Sequence, residues 1–303
     1  MPGPYQLLLL IVGLVLAGCS PADTAPYEPS YAASPAASER GAEYVFAIHP
    51  LHNPKRLFEV YQPLVELINE RADGAFLLKL EASRDYAAFE TKLRAGKFAV
   101  ALPNPYQSLQ AADNGYRIVA KMGSDERFRG IIIVRRDANI AEVADLAGAA
   151  ISFPAPTALA ATMMPQLFLF QNGLGRDAFE ARYVGSQESA IMNVLLGKTA
   201  AAGTWPPPWE AMLRRRPELA EQLKVRWQTD PLVNNGVVVH EALDASHAAL
   251  ITEVLLDLHR HERGQAILRD MEIARFEAAD QHSFEPVRVF LSEFDQAFGA
   301  SPP

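Results

Sequence analysis

The sequence predicts an α/β fold in two lobes, and three observations carry that expectation. Short apolar runs alternate with helix-length amphipathic stretches over residues 44–114, and a second alternation of similar size begins after Arg136. Two extended segments, residues 130–136 and 234–239, stand where the chain would pass from one lobe to the other and return. The expected layout is a mixed sheet flanked by helices in each lobe, joined by two hinge crossings. Lobe 1 comprises residues 43–133 plus 236–303, and lobe 2 residues 134–235.

The elements follow in order. Residues 44–48 form an apolar strand ending at His49-Pro50. Over residues 55–71, Leu57, Val60, Tyr61, Leu64, Val65 and Ile68 recur at spacings of three and four, the stripe of an amphipathic helix. Residues 76–80 are a strand, 86–96 a helix closed by Gly96, 98–102 a strand ending in Pro103-Asn104-Pro105-Tyr106, and 107–114 a helix. Residues 118–122 and 130–136 are strands, and 140–146 a short helix. Lobe 2 continues with strands at 182–184, 198–204 and 224–228 and helices at 186–196 and 208–216. Helices at 242–262, 264–271 and 284–298 close the chain. Ligands of open α/β sheets sit off the carboxyl ends of strands, which directs attention to the loops at 49–53, 83–86 and 103–106.

Residues 149–164, AAISFPAPTALAATMM, read as a strand, a tight turn and a helix start. Pro154 and Pro156 stop the strand, and Thr157 stands at the capping position before good helix formers. The first N–H groups of a helix lack intrahelical partners and carry partial positive charge, so such a turn suits an anion without any lysine. The two prolines remove two donors. The seat then rests on Thr157, Ala158 and the N–H groups that follow. The same pattern also serves as a plain strand-to-helix connection.

Composition narrows the class. The chain has 303 residues, 49% of them apolar, and a net charge of −8. That is the profile of a globular protein and not of a nucleic-acid binder, and Arg214, Arg215 and Arg216 read as a solvated helix face. Residues 7–16 are an apolar run too short to span a bilayer, followed by Leu16-Ala17-Gly18-Cys19. Residues 1–18 are expected to be a signal peptide, although residues 1–6 contain no Lys or Arg. Cys19 is the only cysteine and forms no intramolecular disulfide. Residues 19–42 are rich in Ala, Pro and Ser and are expected to be a disordered tether.

Five stretches carry a family resemblance. They are SRDYAAFETKLRAGKFAVALPNPY (residues 83–106), GIIIVRRDANIAEVADLAGAAISF (130–153), PAPTALAATMMP (154–165), YVGSQESAIMNVLLGKTAAAGTW (183–205) and Pro286-Val287-Arg288. In this order and spacing the chain resembles the periplasmic phosphonate, phosphite and phosphate-binding proteins of ABC transporters, and Cys19 resembles the lipidated cysteine of a lipobox. The resemblance implies a class II periplasmic-binding fold closing on a small oxyanion. It also implies delivery to a membrane permease, no catalysis, no cofactor and a monomer held at the periplasmic side of a membrane by lipid. A ligand-dependent partner of a sensor kinase is the alternative.

Several site residues follow from that resemblance. Tyr86 matches the tyrosine reaching the ligand from the first lobe, and Asn104 and Tyr106 lie in a loop whose usual glycine is replaced. Thr157 matches the hydroxyl at the helix start. Gln187 and Glu188 stand where histidine and aspartate are common. Trp205 replaces an aspartate that receives an ammonium, which argues against an amine-bearing ligand. From the residues alone, Glu188 is either an acceptor for the ligand's own proton or a first-turn carboxylate after the Ser186 cap. His49 is placed to touch the anion from the end of the first strand, whereas His49-x-x-His52 lacks a third ligand for a metal. Arg129 either offsets anion charge or is solvated. Trp205-Pro-Pro-Pro-Trp209 reads either as a rigid turn with Pro208 at the first helical position and both tryptophans packed inward, or as a turn that puts Trp205 on the cleft wall, where it limits ligand size.

Overall fold

The computed structural model describes residues 41–299. The signal peptide at 1–18, lipidation of Cys19 and all but the end of the tether fall outside the described residues. The body opens with β1 (Ala42–Ile48), α1 (Pro54–Ala72), β2 (Phe76–Ala82), α2 (Tyr86–Arg94), β3 (Val100–Leu102), α3 (Pro105–Ala112) and β4 (Tyr116–Met122). A first crossing leads to β5 (Ile131–Arg135) and β6 (Ala150–Phe153). A π-turn over Leu159–Met163 runs into α4 (Met164–Gln171). Then come β7 (Glu180–Tyr183), α5 (Gln187–Leu195), β8 (Ala201–Thr204), α6 (Pro206–Arg215), α7 (Leu219–Gln222) and β9 (Leu223–Gln228). After the second crossing follow β10 (Gly236–His240), α8 (Ala245–Asp257), α9 (Glu262–Met271), β11 (Phe276–Ala278) and α10 (Glu285–Phe298).

The strands form two mixed sheets, β11-β4-β10-β3-β1-β2 and β7-β6-β8-β5-β9. β1 pairs in parallel with β2 and β3, and β6 with β7 and β8. β10 and β5, the strands adjoining the crossings, pair antiparallel with their neighbours. The expected lobe boundary at 133/134 runs through β5, all of which pairs within the second sheet. β11, only three residues long, has too few positions for a periodicity to show in the sequence.

The crossings lie side by side. Gly130 N–H donates to Thr229 Oγ1 (3.0 Å) and Thr229 N–H to Gly130 O (2.9 Å). Leu232 N–H donates to Phe128 O (2.8 Å) and the Asn234 side chain to Gly123 O (3.0 Å). Backbone that would otherwise be unpaired is thus satisfied by the other crossing.

Pro165 explains the π-turn. Lacking an N–H, it leaves the Ala161 carbonyl without its helical donor, and the ladder widens so that Met164 N–H reaches Leu159 O. The freed Ala161 carbonyl points at β8, where a Cβ on Gly203 would lie 2.3 Å from it and 2.6 Å from the Phe153 ring. Gly203→Ala is therefore expected to lower the unfolding free energy by about 1–3 kcal/mol in a urea titration. Gly175→Ala, where no atom lies within 4 Å of the new methyl, is expected to stay within about 0.5 kcal/mol of the parent.

Candidate functional site

Carboxyl ends of strands from both sheets meet at one cleft, where open α/β sheets place ligands. From the first sheet, β1 ends at His49, the loop after β2 presents Tyr86, and the loop after β3 presents Asn104. From the second sheet, the loop after β6 gives Ala158 to Ala161, the loop after β7 gives Gln187, and β8 ends at Trp205. With Phe128 and Asn235 of the crossings, these residues line a cavity of about 10 Å³, room for about one water.

Local sequence fixes each side chain. Asp85 caps α2 by accepting from Ala88 N–H (2.8 Å), which sets Tyr86 at the first helical position. Asn104 and Gln107 form a reciprocal capping box at α3, Asn104 Oδ1 accepting from Gln107 N–H (3.0 Å) and Gln107 Oε1 from Asn104 N–H (3.1 Å). That box leaves two amide groups free to reach outward. Asn104 Nδ2 donates to Thr157 O (2.9 Å) across the cleft, and Gln107 Nε2 donates to Glu90 Oε1 (2.9 Å). The same Glu90 oxygen accepts the Thr157 hydroxyl. Glu90 is buried, one helical turn beyond Tyr86 on the stripe formed with Phe89 and Leu93.

The helix start differs from expectation. Thr157 does not cap it; Ala158 occupies the cap position, and its own N–H donates to Ala155 O (3.2 Å). Thr162 N–H is the first to bond back within the turn, to Ala158 O (2.7 Å). The N–H groups of Leu159, Ala160 and Ala161 therefore open the helix beside the cavity, while the Thr157 hydroxyl is committed to Glu90. The Thr157 hydroxyl goes to Glu90 instead of to a helical N–H, a partner that capping preference alone does not foresee.

Tyr86 is buried against Ala155, Ala158 and Ala161 of the second lobe, and its phenol is hydrogen-bonded to Gln187. Gln187 Oε1 accepts from the buried Thr204 hydroxyl (2.8 Å). Burial, and then the Glu90 charge, raise the Tyr86 pKa. His49 is buried, with Nδ1 2.8 Å from Leu102 O, so Nδ1 carries the proton and Nε2 is an acceptor. Burial lowers its pKa to about 4 despite the Leu102 bond. Trp205 packs edge-on to Phe128, centroids 5.4 Å apart, and closes one wall.

Three expected site residues lie elsewhere. Glu188 sits at the rim, its Oε1 accepting from Asn53 Nδ2 (3.1 Å) and Arg215 (2.6 Å). The Tyr106 phenol accepts from Gln110 (2.9 Å) and lines a surface groove with Arg288 and Asp295. The Arg129 guanidinium donates to Glu126 O (2.9 and 2.6 Å). The arginine run is exposed, as expected, and each member also pairs with a carboxylate: Arg214 with Glu272, Arg215 with Glu188 and Arg216 with Glu218. Glu90 and Gln107 were not expected. The signals for them were the carboxylate on an apolar helix stripe and the Asn-x-x-Gln box.

Two mixed sheets whose strand ends converge on one interlobe cleft define a two-lobed α/β binding protein, the fold class expected from the sequence. The family model described as ABC transporter, phosphonate, periplasmic substrate-binding protein matches residues 46–284, and the chain belongs to that family of solute-binding proteins. A binding-protein component of a phosphonate ABC transporter from Pseudomonas aeruginosa has the same fold, with a TM-score of 0.76 at 18% identity over 84% of this chain and 87% of that one. PhnD1 from Prochlorococcus marinus, solved with methylphosphonate, gives 0.76 at 19% over 84% and 98%. The aliphatic sulphonate-binding protein of Escherichia coli gives 0.55 at 15% over 86% and 79%. A comparison with curated proteins found no match.

The buried histidines set a pH dependence. His49 titrates near 4 in the folded chain against about 6.5 unfolded, so the unfolded chain binds more protons between those values and stability falls as pH drops through that window. Burial, followed by the charges of Arg56, His49, Arg215 and Arg214, lowers the His52 pKa to about 3, which acts in the same direction. Denaturant titrations at pH 7 and pH 4 are expected to differ by on the order of 3 kcal/mol from His49, and His49→Gln is expected to reduce that difference.

Proposed function

We propose that this chain is the solute-binding lipoprotein of an ABC transporter that takes a small phosphorus oxyanion, namely phosphate, phosphite or a simple phosphonate, into the interlobe cleft and delivers it to a permease. The observation that carries this reading is the convergence at one cavity of the helix-opening N–H groups of Leu159 to Ala161 with the Tyr86 phenol, beside His49, Asn104 and Gln187. Family membership supports it independently. Trp205 stands where the family resemblance places an aspartate for a ligand ammonium, and with Phe128 it presents apolar rings to the cavity, which favours a ligand without an amine. The cavity holds about one water as it stands, so ligand entry is coupled to separation of the lobes. Thr157 then acts as an interlobe clasp through Glu90 and Asn104. Tyr106 and Arg129 have no direct part in this reading, and Glu188 contributes at the rim.

Isothermal calorimetry with methylphosphonate, phosphite, phosphate and sulfate is expected to give binding for at least one phosphorus oxyanion. No heat across the panel overturns the ligand class. Thr157→Val, which removes the hydroxyl at nearly constant volume, is expected to weaken the binding about tenfold, in line with the loss of one hydrogen bond to a charged group. Lipid anchoring rests on Cys19 as the sole cysteine after Leu-Ala-Gly. Intact-mass measurement of the membrane-extracted protein is expected to show a diacylglycerol adduct that Cys19→Ala abolishes, releasing the protein from the membrane fraction.

A further inference from the structure

We propose that the cleft is built for the singly charged, protonated form of its oxyanion and excludes the dianion, with the Glu90 carboxylate and the His49 imidazole as the deciding groups. The inference rests on the oxyanion reading of the cleft and specifies its charge state.

Three observations lead to it. First, among the described residues no lysine or arginine lines the cavity, so nothing there offsets a second negative charge directly. Second, a buried carboxylate is bonded to the residue that precedes the cavity-lining turn. Glu90 accepts Thr157 Oγ1–H and Gln107 Nε2–H, and Thr157 directly precedes the helix start at the cavity. Its charge is also felt by the phenols of Tyr86 and Tyr106. In a setting with little water, a dianion beside this carboxylate is disfavoured more strongly than a monoanion. Third, His49 Nδ1–H is held by Leu102 O, so Nε2 is available only as an acceptor. An acceptor has no use for an unprotonated oxyanion and a clear one for a P–O–H proton.

The charged surroundings do not reverse this. Facing His49 are Tyr86 and Phe89 of α2, with His52 in the adjoining loop. Beyond His52, Arg215 and Arg214 are taken up by Glu188 and Glu272, and Arg56 by Glu59 and the Asp270 carbonyl. Facing Glu90 are Gln107 and Thr157, both neutral donors. Burial lowers the His49 pKa to about 4, so in the ligand-free cleft it stands as a neutral acceptor.

The test is calorimetry of the whole protein with methylphosphonate between pH 6 and pH 9, with sulfate as a dianion that carries no proton. The association constant for methylphosphonate is expected to fall about tenfold per pH unit above the ligand's second pKa, as one-proton linkage requires. Sulfate is expected to give no binding. Glu90→Gln retains an acceptor for Thr157 but removes the charge, and it is expected to flatten the fall; a purely structural role for Glu90 would lower affinity at every pH equally. A wild-type profile that is flat or rises with pH, or sulfate bound as tightly as methylphosphonate, overturns the proposal whether or not the variant folds. An unchanged slope in a folded Glu90→Gln protein overturns the part given to Glu90. Absence of binding to methylphosphonate, phosphite and phosphate at every pH overturns the oxyanion reading and this inference with it.

Discussion

Glu90 ties the two lobes together through a single carboxylate oxygen. That oxygen, buried on α2 of the first lobe, accepts one hydrogen bond from Gln107 of the same lobe and one from Thr157 of the other. A buried carboxylate needs such donors, because burying its charge without them is far more costly than any one contact gains. The arrangement of the turn between β6 and the π-turn therefore depends on where Glu90 stands. Asn104 adds a second tie by donating to the carbonyl of the same Thr157. Both ties are anchored by the capping box at α3, whose backbone bonds hold Asn104 and Gln107 in position while their remaining amide groups cross to other elements.

The second lobe meets these donors through close backbone packing. Pro165 displaces the Ala161 carbonyl from the helical ladder, and only a glycine at 203 lets that carbonyl approach β8. Gly130 on the other side is similarly close, with Pro165 and the Ala160 carbonyl where a Cβ would be. One proline and two glycines thus set how deeply the helix start sits, and with it the position of the N–H groups facing the cavity. Buried side chains from this segment, including Leu159, Met163 and Met164, join the apolar core of the first lobe, as does Trp205. Contact between the lobes is therefore apolar as well as polar, and separating them exposes both kinds of surface to water.

At the rim, charge pairing continues the same theme at lower cost and lower value. Arg214 meets Glu272 of the first lobe, and Glu188 accepts from both Arg215 and Asn53. These pairs are partly exposed and screened by solvent, so they orient the lobes more than they hold them. The exposed arginine run pairs residue by residue with different carboxylates.

The alternation of strands and helices was legible in the sequence because periodicity is local: the helix at α1 and the strands at β1 and β2 are written in the spacing of their own apolar residues. The doubling of that alternation made two lobes legible too, and residue types at loop positions pointed to Tyr86, Gln187, His49 and Trp205, all of which line the cavity. What the sequence could not contain was direction. Tyr106 and Arg129 have the right chemistry near the right loops, yet the helix phase of α3 and a local bond to Glu126 turn them away. Thr157 sits at the expected turn, but its hydroxyl is taken by Glu90 and Ala158 holds the cap position. Glu90 was hidden for the opposite reason, since a carboxylate on an apolar stripe reveals its partners only when another lobe is packed against it. The sequence by itself determined the class of fold, the order of its elements and the turn that opens onto the cleft, because these follow from local spacing and backbone chemistry. Only the tertiary structure decided which oxygen each donor serves, because hydrogen bonds between lobes depend on the relative placement of segments far apart in the chain.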